Sequence, residues 1–209
     1  MEFLVGSGTN TLRKIQFTLT SLESIPKSLF TSHGASLQML NLSQCKLKGD
    51  CIPKEVGNAK LLREMDLSDN QITSVPLEIQ GCIKLNILTL SGNQLKDVSV
   101  LFKVPALEYL YVSKNQLSSI YTGDESSLEW SECPLKVLDM EANQIAHIPS
   151  QLLKASRIHN LNLKGNLIKR AQLMKMEGLE EYQARRKIKM DLVVNNNLDV
   201  DQNICGLTE

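Results

Sequence analysis

Apolar residues return along this chain in a single phrase. LREMDLSDNQI (62–72), LNILTLSGNQL (85–95), LEYLYVSKNQL (107–117) and LKVLDMEANQI (135–145) all follow L-x-x-L-x-L-x-x-N-x-L, with Met, Val or Ile admitted to the apolar slots. LQMLNLSQCKL (37–47) fits with Cys45 in the asparagine slot, and IHNLNLKGNLI (158–168) fits with Ile158 leading. LRKIQFTLTSL (12–22) is in register but weaker, with Thr20 in place of asparagine. The leading residues fall at 12, 37, 62, 85, 107, 135 and 158, in steps of 25, 25, 23, 22, 28 and 23.

The spacing predicts a strand in each unit. In L-x-x-L-x-L the fourth and sixth positions point inward, and the third, fifth and seventh point outward. One unit cannot bury its inward leucines alone, whereas stacked units share a continuous core beneath a parallel sheet. A fully buried Leu, Ile or Val contributes roughly 1.5–3 kcal/mol, so a polar residue at Leu67 or Leu90 should be severely destabilising. Asparagine at the ninth slot turns the chain out of the strand, and its amide can bond backbone groups of neighbouring turns. IPKSL (25–29), IPKEV (52–56), VPLEI (75–79) and IPSQL (148–152) lie between the phrases. Their prolines pre-set φ for short helical or 3₁₀ segments on the outer side.

These phrases resemble those of the leucine-rich repeat family over about residues 12 to 170. The I-P-x-x-Φ segments are similar to the short repeats of intracellular leucine-rich proteins such as the Ras-suppressor type. The resemblance implies an α/β solenoid, a horseshoe with a parallel concave sheet, short convex helical or 3₁₀ segments and a C-terminal capping helix. The expected organisation is an N-terminal edge segment (1–11), about seven repeats (12–170), a capping helix (171–190) and a tail (191–209). In the cap, Leu173, Met176, Leu179 and Tyr182 share a face, and L-x-x-x-E-G-L-E-E-Y looks like the closing element of small cytoplasmic leucine-rich repeat proteins. The tail is either loose or an added edge element. Arg185-Arg186-Lys187 with Lys189 is expected to be the solvated face of the cap.

Composition narrows the function classes. Lys plus Arg and Asp plus Glu balance at 23 each, which gives no electrostatic case for nucleic acid or an anionic membrane. No apolar run approaches the roughly 18–20 residues of a membrane span, and MEFLVGSGTNT lacks the features of a signal peptide. Cys45, Cys51, Cys82, Cys133 and Cys205 are scattered, with no C-x-x-C, as expected of reduced thiols in a cytoplasmic protein. The cysteine-rich caps of extracellular relatives are missing.

Catalytic chemistry has little to stand on. His33, His147 and His159 fall in connectors or at a strand start, and nothing in the sequence pairs them with a thiol. Asp199, Asp201 and Asn203 mimic the start of a calcium loop, but Ile204 takes the glycine position. Neither SGTN nor LSGNQ ends in G-K-[ST], so neither is a phosphate loop. No cofactor or metal is expected, and an unrecognised Cys/His site is the outsider.

The outward strand positions carry more information. At about 4.8 Å per rung, seven strands make rows of roughly 29 Å. The fifth-position row is Gln16, Asn41, Asp66, Thr89, Tyr111, Asp139 and Asn162; the third-position row is Lys14, Met39, Glu64, Ile87, Tyr109, Val137 and Asn160. Ile87, Tyr109, Tyr111 and Val137 therefore form an apolar-aromatic centre. Glu64, Asp66 and Asp69 flank it on one side, Asp139 and Glu141 on the other, and Lys114 lies beside the tyrosines. Tyrosine offers large contact area at low entropic cost, and acidic flanks favour a basic partner segment. The chain is thus expected to be a protein-binding adaptor acting through its concave face, monomeric by default. The resemblance also permits a regulatory subunit of a phosphatase or small-GTPase pathway. In the long step before Leu135, SIYTGDESSLEWSECP (119–134) carries the single tryptophan, Trp130, expected to pack under an enlarged outer loop.

Overall fold

Each phrase forms a three-residue strand, and each strand pairs in parallel with the next. In the computed structural model, which describes residues 12–123, 128–194 and 204–207, these are β1 (Lys14–Gln16), β2 (Met39–Asn41), β4 (Glu64–Asp66), β6 (Ile87–Thr89), β7 (Tyr109–Tyr111), β8 (Val137–Asp139) and β9 (Asn160–Asn162). They make one seven-stranded sheet in that order, every rung in the register the repeat dictates, from Lys14 opposite Met39 to Asp139 opposite Asn162. A second ribbon pairs β3 (Lys48–Gly49) with β5 (Gln71–Ile72), just beyond the asparagine turns.

The core is the stack of inward positions. From the second repeat to the seventh, the first, fourth, sixth and eleventh residues are all at most 3% exposed. The first repeat is looser: Ile15 is buried, but Leu12 and Phe17 are 38% and 37% exposed. On the outer side, Pro26 and Pro149 precede the short helices α1 (Lys27–His33) and α2 (Ser150–Ala155). Pro53 and Pro76 precede 3₁₀ turns at Lys54–Asn58 and Leu77–Gly81. A further 3₁₀ turn, Ser99–Lys103, forms without a proline.

The ninth-position asparagines link each repeat to the one before it. Asn93 donates from Nδ2 to the Leu90 and Leu67 carbonyls (2.9 and 3.0 Å), and its Oδ1 accepts from Ile72 N–H at 2.9 Å. Asn70, Asn115 and Asn143 repeat this pattern and are buried like Asn93. Asn166 does the same at the last rung. Cys45 cannot match it; its Sγ lies 3.3 Å from the Phe17 and Ser43 carbonyls, so it supplies only weak bonds at this slot.

A second backbone regularity escapes sequence reading. The eighth residue of every repeat is left-handed: Leu19, Gln44, Asp69, Gly92, Lys114, Ala142 and Gly165 all have φ between 53° and 72°. Glycine at two of these slots was the available signal.

The cap departs from the expectation of one helix over 171–190. It is built from α3 (Arg170–Leu173) and α4 (Leu179–Val194), separated by a break at Gly178. Gly178 has φ +87°, and a Cβ there would lie 2.5 Å from the Lys154 backbone nitrogen, so glycine is needed where the cap meets α2. Leu173, Leu179 and Tyr182 are buried, and Met176 packs partly buried against the same core. The Tyr182 hydroxyl accepts from the Leu161 N–H at 3.1 Å. Arg185 is not part of a solvated face: it donates to the Leu153 and Ile158 carbonyls at 2.5 and 3.2 Å. Residues 204–207 form an edge element, where the Cys205 carbonyl accepts from Leu163 N–H at 2.8 Å, in the manner of an added rung. Residues 191–194 of the expected tail continue α4, while 195–203, with the calcium-loop mimic apart from Ile204, and 208–209 lie outside the described residues.

Candidate functional site

Strand alternation settles which side chains reach the concave face. Tyr109 and Tyr111 are half-buried on either side of the fully buried Leu110, and Ile87, Val137 and Asp139 repeat that alternation on the adjacent strands. Ile87 and Val137 sit directly opposite Tyr109, one on each side, while Thr89 and Asp139 flank Tyr111. The structure thus brings Ile87, Tyr109, Tyr111 and Val137 into one patch on three neighbouring strands. Glu64 and Asp66 lie one rung further, opposite Ile87 and Thr89. Asp69 and Lys114 are exposed at left-handed positions beyond the strand ends, and Glu141 is half-buried beside its own rung.

The acids are more engaged than the sequence suggested. Asp66 Oδ1 accepts from the Ser68 N–H at 3.0 Å and its hydroxyl at 2.7 Å, while Oδ2 accepts from Asn41 Nδ2 at 3.2 Å. Asp139 Oδ1 accepts from Glu141 N–H at 3.1 Å, and Glu141 Oε2 accepts from Asn162 Nδ2 at 3.1 Å. Asn41 and Asn162 cap their turns in the same way, through Ser43 N–H and Lys164 N–H. The fifth slot therefore does structural work wherever it holds Asn or Asp: a short polar side chain bonds the backbone two residues on. Recurrence of Asn and Asp in that row was the readable signal. Thr89 and Tyr111 occupy the slot with no amide or carboxylate to turn back.

Burial raises the Asp139 carboxyl above its usual range, helped by the nearby Glu141 charge and opposed by the hydrogen bonds it receives. Burial also raises the Tyr111 phenol, with Tyr109 and Asp139 adding to the shift. A neighbouring positive charge would offset the burial cost of the Asp139 carboxylate, whereas the Tyr111 phenol stays neutral.

The thiols point away from catalysis. All five are free and buried; burial pushes Cys51, Cys133 and Cys205 up to about 11 and Cys82 to about 12, so these four stay protonated at neutral pH. Burial and nearby cations lower His159. Trp130 is 3% exposed and packs edge-on against Phe102 and Tyr121, at ring distances of 5.4 and 6.0 Å, beneath the long outer loop. Asp124 and Glu125 of that loop lie outside the described residues. Among the described residues no helix is long and apolar enough to cross a membrane.

Comparison with known proteins agrees with this architecture. The family model for the repeats of "Leucine-rich repeat and WD repeat-containing protein 1" matches residues 25–128. The protein of that name from Mus musculus is 38% identical over 85 residues, which is 40% of this chain and 13% of that protein. An internalin from Listeria monocytogenes superposes with a TM-score of 0.62 at 22% identity, over 76% of this chain and 43% of that one. The ectodomain of the Arabidopsis thaliana receptor kinase GASSHO1/SCHENGEN3, solved with CASPARIAN STRIP INTEGRITY FACTOR 2, gives 0.61 at 26% identity, over 76% and 19%. With its sheet, its asparagine turns and these likenesses in agreement, the chain is a leucine-rich repeat protein.

Proposed function

We propose that this protein is a binding module that holds a segment of a protein partner across Tyr109 and Tyr111. Leucine-rich repeat folds are in general protein–protein interaction modules and typically carry no enzymatic activity. The observation that carries the reading is Tyr111 itself. It takes a slot that elsewhere holds a turn-capping Asn or Asp, fills no core position, and joins Tyr109, Ile87 and Val137 in a continuous apolar-aromatic surface. Such a surface, rimmed by carboxylates, suits a partner segment with an apolar or aromatic anchor and basic residues beside it. The receptor ectodomain above, solved with its factor, is a relative whose repeats belong to a complex.

The free buried thiols support a cytoplasmic location, where they stay reduced. They equally support binding rather than catalysis, because a protonated buried thiol is a poor nucleophile.

The test is quantitative affinity capture from the native cell with the wild-type protein and the Tyr109→Ala/Tyr111→Ala variant. Capture should fall at least about tenfold, or ~1.4 kcal/mol, with the thermal midpoint nearly unchanged. Equal capture by both proteins would end the proposal. An activity assay on the captured partner then separates passive scaffolding from regulation.

A further inference from the structure

The concave patch opens at one side into a recess of about 370 Å³ at the beginning of β4 and β6. Ile83, 50% exposed, lines it with the half-buried Ile87 and Ala106, so it presents an accessible apolar lining. Asn86 braces it by donating to the Ala106 carbonyl at 3.2 Å. Arg63 and Lys84 stand exposed around it and have no ion-pair partner among the described residues; Glu64 is the one acid there.

Charge changes sign across the strands. At the strand starts Arg63 and Lys84 are unpaired, while Glu108 and Lys136 neutralise each other at 2.6 Å. At the strand ends of the same rungs and their neighbours lie Asp66 and Asp139, with Asp69 and Glu141 just beyond; Lys114 and Lys164 are the cations on that side, Lys164 lying 4.0 Å from Glu141. The recess shares Ile87 and Glu64 with the tyrosine patch, so a chain crossing one reaches the other.

We propose that this recess is a second subsite. It takes an apolar side chain flanked by a carboxylate, supplied by the same protein segment that lies across Tyr109 and Tyr111. The segment then runs with its acidic part over Arg63 and Lys84 and its basic part over Asp66 and Asp69, which fixes its direction across the sheet. A nucleic-acid backbone does not fit, because its charge does not change sign along its length and phosphates continuing past Arg63 and Lys84 would meet Asp66 and Asp69.

This inference rests on the concave-face reading, and one experiment separates the two. Random-sequence peptides displayed on phage are selected on the whole protein, and the strongest is measured by fluorescence anisotropy. The expected peptide carries an apolar residue with Asp or Glu on one side and Lys or Arg on the other. Its binding should weaken about tenfold or more with Arg63→Glu/Lys84→Glu and with Ile83→Asp. A peptide with its acids changed to lysine should regain affinity for the Arg63→Glu/Lys84→Glu variant, which a misfolded variant could not show. Lys54→Glu, a cation on a convex 3₁₀ turn, should change nothing. A peptide that needs the tyrosines but ignores the recess variants overturns the subsite and leaves the concave reading standing. Indifference to Tyr109→Ala/Tyr111→Ala, or selection of no peptide, overturns both.

Discussion

Two rows of polar residues run the length of this solenoid, and both bond the backbone, yet only one is uniform. The ninth-position row holds asparagine at each rung from the third to the seventh, buried at every one but the last. The fifth-position row lies on the concave face and changes from Asn and Asp to Thr89 and Tyr111 in the middle. The difference lies in what each side chain replaces. Inside, Asn93 satisfies carbonyls and an N–H in two repeats that water cannot reach. Outside, water can substitute for Asp66 or Asp139, so the slot is free to serve a partner.

Removing an inner asparagine is accordingly the strongest way to probe this contrast. Asn93→Ala strands the Ile72 N–H in the core, where an unsatisfied buried group costs roughly 1–3 kcal/mol, and it leaves the Leu67 and Leu90 carbonyls with only the Asn70 and Asn115 amides. The expected loss is on the order of 3 kcal/mol, read from the urea midpoint. A loss under about 1 kcal/mol would mean that the repeats are not joined through this amide.

Tyr111→Asn probes the other row. It restores the short acceptor that Asn41 and Asn162 use to cap their turns. Stability should move by no more than about 0.5 kcal/mol, as for a surface change that removes no core contact, while partner capture falls. Unfolding of this variant would place Tyr111 in the core and break the distinction between the rows.

The same distinction explains how far the sequence could be read. The strands, their register and the inward leucines follow from a period-2 alternation repeated seven times, so Leu40, Met65, Leu88, Leu110 and Leu138 were legible as one stacked column. The patch of Ile87, Tyr109, Tyr111 and Val137 was legible too, since register alone makes these residues neighbours. The hydrogen bonds of Asp66 and Asp139 were legible only as the recurrence of Asn and Asp in one row, because a single carboxylate looks the same in a pattern whether it faces solvent or turns back on the chain. The break at Gly178 is not legible from propensity, which charges a helical glycine only about 1 kcal/mol, whereas the close approach to Lys154 requires a left-handed residue there. Nor does charge spacing reveal that Arg185 finds carbonyls on a neighbouring helix.

The subtlest test concerns Asp139, which holds the fifth slot as a turn cap but carries a charge its surroundings disfavour. Burial and the Glu141 charge raise its carboxyl above the ordinary value of 3.8. A carboxyl raised by folding favours the protonated native state. Its contribution is therefore full below the unfolded pKa and is lost as pH rises through the raised native value. Asp139→Asn keeps the Oδ1 acceptor for Glu141 N–H and removes the charge. The variant should be more stable than wild type at neutral pH by less than about 1 kcal/mol, because the site is partly solvated. The difference should shrink as pH falls through the titration of Asp139. Urea midpoints at acidic and neutral pH measure it, and a variant less stable at neutral pH would show that the carboxylate already has a compensating cation in the free protein. If the gain appears and partner capture drops, Asp139 is held at a stability cost for the partner's positive charge, as the proposed function would have Tyr111 held for an anchor.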